Sequence, residues 1–305
     1  MSDGRWRSIP DVCEFAELRG AAAQNEPDLL LEVPHGATRA AHFDALRGAL
    51  VGHYPDDLRD FFFVNTDVGA PELALRLALA LVAADPARSV AVLRSLIPRT
   101  FVDCNRVIDA TTKPKASAAG EMTPGVHAWV KDPRDLELLL ARYRAYRAQA
   151  ESLYEHVCGR GGLALMLHSY APRSIDVPVD EHVVASLRKA YRPEEIENWP
   201  LRAEVDLIAD DGLGQALAPE ALVRSLMREL AAADLRVARC GSYTLHPGTL
   251  AHTFATKYPG KTLCLEVRRD LLVEEFTPFA EMHADPQRVE RIALPLARAV
   301  IANST

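Results

Sequence analysis

Residues 29–38 read LLLEVPHGAT, and the reading of this stretch decides the fold. Leu29 to Val33 combine four apolar residues with one acid, then meet Pro34, His35 and Gly36. A short apolar run cut off by turn-forming residues is the pattern of a buried strand, covered on both faces as in the middle of a parallel sheet. Such a strand that ends on a histidine raises a question of chemistry, whose answer depends on whether other strands end in the same way.

Working outward from 29–33, further apolar runs occur at 89–93, 163–167 (LALML), 204–208, 236–239 and 262–267 (TLCLEV), each read as a strand. The FFFV run at 61–64 and the run at 100–104 read as two more short β-type segments. Between them, helical spacing marks 40–50, 71–84, 132–158, 219–233 and 286–301. Pro71 and Glu72 suit the first turn of their helix. Residues 1–28 read as an irregular lead-in with one short helix. Residues 110–128 (ATTKPKASAAGEMTPGVHA) form a long polar loop of the kind that closes over an active site, with His127 or Trp129 reaching in. Helices alternating with short apolar strands predict an α/β/α sandwich, with a mixed, largely parallel central sheet. With no repeat and no linker, residues 1–305 read as one domain.

The bulk properties fit a globular chain able to bury its own core. The chain has 305 residues, 49% hydrophobic and 25% charged. A net charge of −7 provides no basic field for nucleic acid. Five scattered cysteines form no metal-binding pair and no disulfide framework. The N-terminus has no apolar leader, and the stretch from Ala74 is too short and too charged for the about 20 residues a membrane span needs. A cytoplasmic protein acting on a small molecule, with no membrane or nucleic-acid partner, is the expectation.

In open α/β sheets, function gathers beyond the carboxyl ends of the strands. There the predicted strands deliver His35, Asp67, His168 and Glu266. Two imidazoles and an acid, with a separate carboxylate as base, are what a hydrolytic zinc site uses. The same ligands also suit iron, cobalt or manganese. A single histidine after a strand more often makes a turn or core hydrogen bond. Glu266 is less ordinary, because an acid between Leu265 and Val267 needs a cation nearby. Glu32 has a similar setting and is read either as a second candidate or as the mark of a sheet edge. The segment IPRTFVDCNRVID (97–109) places Arg99, Asp103, Asn105 and Arg106 together. It reads equally as a surface turn with a weak ion pair or as a fork that grips a carboxylate. His42, His53, His156, His182 and His283 read as solvated or structural.

Taken in order, VPHGAT, NTDVGAPELA, FVDCNRVID, LMLHSY and LCLEVRRDL resemble the N-formylglutamate amidohydrolase (deformylase) family, from about residue 29 to about residue 272. That family is similar in fold to the zinc carboxypeptidases, three-layer sandwiches of the phosphorylase/hydrolase type. LEVRRD resembles the sequence around their general base, and Asn105-Arg106 resembles their carboxylate-binding pair. The resemblance implies one zinc ion held by His35, His168 and Asp67, with Glu72 the alternative third ligand. It implies Glu266 as general base, and Arg106, helped by Asn105, as the grip on the substrate carboxylate, with Arg99 of the 97–109 segment a further substrate-binding candidate. The sequence departs from the family at 243–254 (YTLHPGTLAHTF), where an asparagine, a proline-tyrosine pair and adjacent glycines are usual. His246, Thr249 and His252 are therefore expected to shape the part of the site that selects the acyl group or side chain. The implied reaction is hydrolysis of an N-formyl or N-acyl amino acid amide. The alternatives are a carboxypeptidase-like or deacylase activity on a larger substrate, and a non-catalytic ligand-binding protein on the same fold.

Overall fold

The structure is a computed structural model that describes residues 6–303. Its centre is a sheet of seven strands in the order β1-β3-β2-β4-β7-β5-β6. These are β1 (Cys13–Arg19), β2 (Leu29–Val33), β3 (Ser89–Ser95), β4 (Leu163–Tyr170), β5 (Val205–Ile208), β6 (Val237–Arg239) and β7 (Thr262–Arg268). Strands β3, β2, β4 and β7 run parallel, while β1 and β5 run antiparallel to their neighbours β3 and β7. The mixed, largely parallel α/β/α sandwich is as expected.

Strand alternation divides the core in two. Leu29, Leu31, Leu165, Leu167, Leu263 and Leu265 face a layer made by α3 (Ala70–Ala84), α7 (Glu220–Ala231) and α9 (Pro286–Ile301). Leu30, Ala164, Met166 and Cys264 face the other layer, which includes α4 (Pro133–Val157) and α8 (Leu250–Lys257). Both faces are covered, which is why the central strands read as continuous apolar runs. Among the described residues no helix is long and apolar enough to cross a membrane.

Several expectations are corrected. The lead-in contains strand β1, paired along its length with β3. Its Glu14, Glu17 and Arg19 suit a sheet edge and hide the strand signal. The FFFV run is not a strand but lies in a helix, α2 (Leu58–Asn65), with Phe61, Phe62, Phe63 and Val64 all buried. A four-residue apolar run buried on every side carries no period that distinguishes helix from strand. Residues 100–104 form a loop tied to Val126 by a single bridge at Val102.

Glu32 does not mark an edge. Its strand lies between β3 and β4, and its buried carboxylate accepts hydrogen bonds from Tyr146 Oη (2.6 Å) and Tyr154 Oη (2.8 Å) of α4. Burial pushes this carboxyl above its ordinary value, against the pull of the two hydroxyls. The pair of bonds fixes α4 against the sheet. Tyr154→Phe leaves the carboxylate one donor short and should lower the unfolding free energy by about 1–3 kcal/mol. Urea denaturation measures this, and an unchanged midpoint would show that the bond contributes nothing.

Candidate active site

The turn after β2 is tight because of what lies against it. A Cβ at Gly36 would sit 2.4 Å from Arg94 Cγ and 2.8 Å from the Ser95 carbonyl oxygen. Only glycine lets the turn press against β3, where Arg94 Nε donates to the Gly36 carbonyl at 2.8 Å. The turn thereby holds His35 over the end of the sheet. His168 is within β4, on the same face as Met166. Asp67 follows α2 and is fixed from both sides. Thr66 Oγ1 donates to the Ala37 carbonyl (2.7 Å), and Ser169 Oγ donates to the Val68 carbonyl (2.8 Å). Arg269 adds a third tie, donating to the carbonyls of Val64 and Ser169.

These constraints bring three side chains to one point. Asp67 Oδ2 lies 3.2 Å from His35 Nδ1 and 2.9 Å from His168 Nδ1, and the two imidazole nitrogens are 3.1 Å apart. All three residues are buried. Burial alone would raise the Asp67 carboxyl, but His35 and His168 outweigh it and hold it far below the ordinary carboxylate range. The other ring nitrogen of His35, Nε2, lies 2.7 Å from Asp103 Oδ1. Asp103 also accepts from Asn105 N (2.8 Å) and Arg99 Nη2 (2.9 Å). Against the cost of its burial, Arg106, His35 and Arg99 keep this carboxyl well below its usual value. An ionised Asp103 accepts the hydrogen bond of an Nε2–H, which favours the tautomer that leaves the Nδ1 lone pair of His35 directed towards His168 and Asp67.

Glu266 is directly beside His168 in the parallel pairing of β4 with β7, and beside Asp206 in the antiparallel pairing of β7 with β5. His168, Glu266 and Asp206 thus form a polar row across one face of the sheet. Asp206 is satisfied by the backbone N–H groups of Gly241 (2.9 Å) and Ser242 (2.6 Å). Glu266 is not: its Oε2 is buried with no hydrogen-bond partner among the described residues. Burial pushes the Glu266 carboxyl up to about 7, with His168 pulling it down and Asp67 pushing it further up.

A cavity of about 680 Å³ opens over this row. His35, His168, Glu266, Asn105, Arg99 and Arg106 all line it, as do His246 and Thr249. Asn105 is anchored through its Oδ1, which accepts from Ala251 N (3.1 Å), so its amide nitrogen faces His168 Nε2 at 3.4 Å. Arg106 donates to the carbonyl (2.9 Å) and hydroxyl (2.8 Å) of Thr123, which ties the 110–128 loop to the site. Thr249 caps α8 by accepting from His252 N (3.1 Å). His252 is in the first turn of that helix and is not among the lining residues. Glu72 is paired with Arg39 (3.0 Å) and stands outside the His35–Asp67–His168 group.

His127 and Trp129 do not reach into the cavity. They stack on each other in the core with centroids 4.5 Å apart, held by the carbonyls of Arg99 and Thr100. Burial pushes His127 down to about 4 and keeps it neutral. Gly120 to Thr123 supply the loop's part of the cavity wall. Of the remaining histidines, His156 is buried beside Trp6 and pairs with Glu26, and His42 accepts from Arg39 N at the start of α1 (Ala40–Ala49). His283 contacts Arg39, and His53 and His182 are exposed.

Sequence reasoning gave no role to Asp103, Arg269, Asp206 or Arg202. Asp103 and Arg269 stood in quoted motifs. Asp103 is brought to His35 from 68 residues away, which no local sequence pattern shows. Asp206 and Arg202 carried no signal either, because they lie at the start of a strand.

The fold is a three-layer α/β/α sandwich with this polar gathering beyond its central strands. The sequence model described as N-formylglutamate amidohydrolase matches residues 28–273, and the chain belongs to that family. Comparison with curated protein sequences finds no match. Among solved structures, the chain is similar to N-formylglutamate amidohydrolase from Ralstonia eutropha JMP134, at 19% identity and TM-score 0.57 over 95% of this chain and 99% of that one. It is also similar to a gene product of Agrobacterium tumefaciens, at 17% identity and TM-score 0.52 over 94% and 95%. Carboxypeptidase A of Helicoverpa armigera overlays more loosely, at 10% identity and TM-score 0.42 over 97% and 70%.

The raised Glu266 carboxyl has a consequence for stability. An acid whose folded-state pKa is raised is held neutral, so its stabilising contribution is present below 4.5 and is lost as pH climbs through about 7. Glu266→Gln keeps the shape without the charge. In chelator-treated protein its stability should equal wild type at about pH 4 and exceed it at about pH 8, by on the order of 2–3 kcal/mol. Thermal unfolding at both pH values measures the difference, and a constant gap between the two proteins contradicts the assignment.

Proposed function

We propose that this chain is a metal-dependent amidohydrolase that cleaves the amide bond of an N-formyl or N-acyl amino acid such as N-formylglutamate. The observation that carries this reading is the convergence of His35 Nδ1, His168 Nδ1 and Asp67 Oδ2 at separations of 2.9–3.2 Å. Bonds of 2.0–2.1 Å to one tetrahedral ion set ligand atoms about 3.3 Å apart, so the spacing fits. The donor set of two imidazoles and one carboxylate suits zinc, and His35 already has the second partner, Asp103, that orients metal-ligating histidines. Bound there, such an ion supplies Lewis-acid polarisation of the acyl oxygen and lowers the pKa of water to about 7.

The chain's own residues account for the rest. Glu266, facing the cavity without a partner, accepts the proton of the attacking water and delivers it to the leaving nitrogen. Arg106, with Asn105 and Arg99, binds the substrate carboxylate and places the reacting carbonyl. His246 and Thr249 border the part of the cavity that receives the acyl group or side chain. The cavity, about 680 Å³, favours a second reading as well: a deacylase for a larger acyl group or peptide-like substrate.

Glu266→Gln should keep its metal, measured by elemental analysis, while turnover of N-formylglutamate falls by about 10²–10⁴. Near-normal turnover with metal retained would remove Glu266 from the reaction. If N-formylglutamate is inert and a longer N-acyl amino acid is cleaved, the second reading replaces the first.

A further inference from the structure

Five arginines line the cavity: Arg99, Arg106, Arg173, Arg202 and Arg269. Four have an acid at hand. Arg99 pairs with Asp103 and Asp67, Arg106 with Asp103, Arg173 with Glu197, and Arg269 with Asp67. Arg202 alone among the five has no carboxylate within ion-pair distance among the described residues. Its Nε is buried without a hydrogen-bond partner. The guanidinium instead sits 4.9 Å from the ring centroid of Tyr170 and 5.3 Å from that of Tyr243, and donates to Tyr243 Oη at 2.7 Å. Its other contacts are weak, to the Ala171 carbonyl at 3.3 Å and Ser174 Oγ at 3.5 Å.

The backbone beneath this side chain is held firmly. Arg202 N donates to the Pro172 carbonyl (2.9 Å), Tyr170 Oη donates to the Ala203 carbonyl (2.6 Å), and Leu201 bridges Arg173. Topology then brings Arg202 to the site. Because β5 runs antiparallel to β7, the approach to β5 lies at the carboxyl end of β7, and Asp206, four residues on, pairs with Glu266. Asp206 also fixes the turn at Gly241 and Ser242 that carries Tyr243. Two aromatic faces orient the planar cation and leave its charge without an anion.

We propose that Arg202 is a specificity-determining residue that grips a second anionic group of the substrate, so that the chain selects N-acyl amino acids carrying a side-chain carboxylate. This rests on the reading of the cavity as a substrate site in which Arg106 and Asn105 hold the first carboxylate. Arg202 and Arg106 approach from different elements, the lead into β5 and the segment after β3. A planar guanidinium already held by two rings loses little freedom on forming a bidentate pair.

The test uses binding rather than turnover. Titration calorimetry compares glutarate with its monoamide, which has the same shape and one charge fewer, on the protein as purified. Wild type should bind glutarate about 10-fold or more tightly than the monoamide, the worth of one charge-assisted pair. Arg202→Gln should cut that ratio to about two, the statistical advantage of two like ends, and Arg202→Lys, which keeps the charge but not the fork, should fall between them. If Arg202→Gln does not fold, judged by circular dichroism, the lysine variant decides alone. A wild-type ratio near two, or a ratio unchanged in the variant that decides, overturns the proposal. Failure of the proposed reaction registers separately: a protein that discriminates the two probes but leaves N-formylglutamate intact retains the anion subsite and loses the activity.

Discussion

Three buried donor atoms drawn to one point set the terms for the rest of the molecule. His35, His168 and Asp67 come from three separate parts of the chain, and each is almost fully buried. Gathering such groups costs desolvation that the hydrogen bonds among them only partly recover. The surrounding structure holds them there regardless. Thr66 and Ser169 staple the Asp67 turn, Gly36 lets the His35 turn press on β3, and Asp103 orients the imidazole. A site assembled with this much support suits the divalent ion proposed for it.

The sheet's mixed direction matters as much as its parallel core. The parallel strands β2, β4 and β7 bring His35, His168 and Glu266 to one end, as expected for an open α/β sheet. The antiparallel β5 then presents its beginning at that same end. It adds Asp206 to the polar row and sets the segment before it, with Arg202, on the cavity wall. Glu32, on the same face but one residue pair deeper, is satisfied by two tyrosines of α4. Glu266 lacks such partners, and this separates a structural buried acid from one available for chemistry.

Much of this was legible in the sequence. Continuous apolar runs ending in His35, His168 and Glu266 named both the strands and the residues beyond them, because central parallel strands are buried on two faces and their ends are not. Asp67, Asn105 and Arg106 stood out both in the residues and in the family motifs; the fold sets Asn105 and Arg106 on the cavity wall, and Asp67 follows a helix instead of the expected strand. The misses have physical reasons. Edge strand β1 carries charges that mask it, and the FFFV run of α2 is buried on every side and shows no period. His127 and Trp129 are aromatic residues in a polar loop, yet their apolar faces stack in the core instead of reaching outward. Arg202 precedes a strand whose direction no local pattern reveals. A search confined to carboxyl ends of strands does not find it.

The most direct measurement is X-ray absorption spectroscopy of the purified protein at the edge of the metal it carries. The account predicts stoichiometric zinc, or another first-row divalent ion, with a first shell of nitrogen and oxygen at about 2.0–2.2 Å and the outer-shell scattering of two imidazoles. That scattering should be lost when His35 and His168 are both replaced. A protein that binds no metal while remaining active, or one whose metal shell contains sulfur or survives the double replacement, contradicts the central claim.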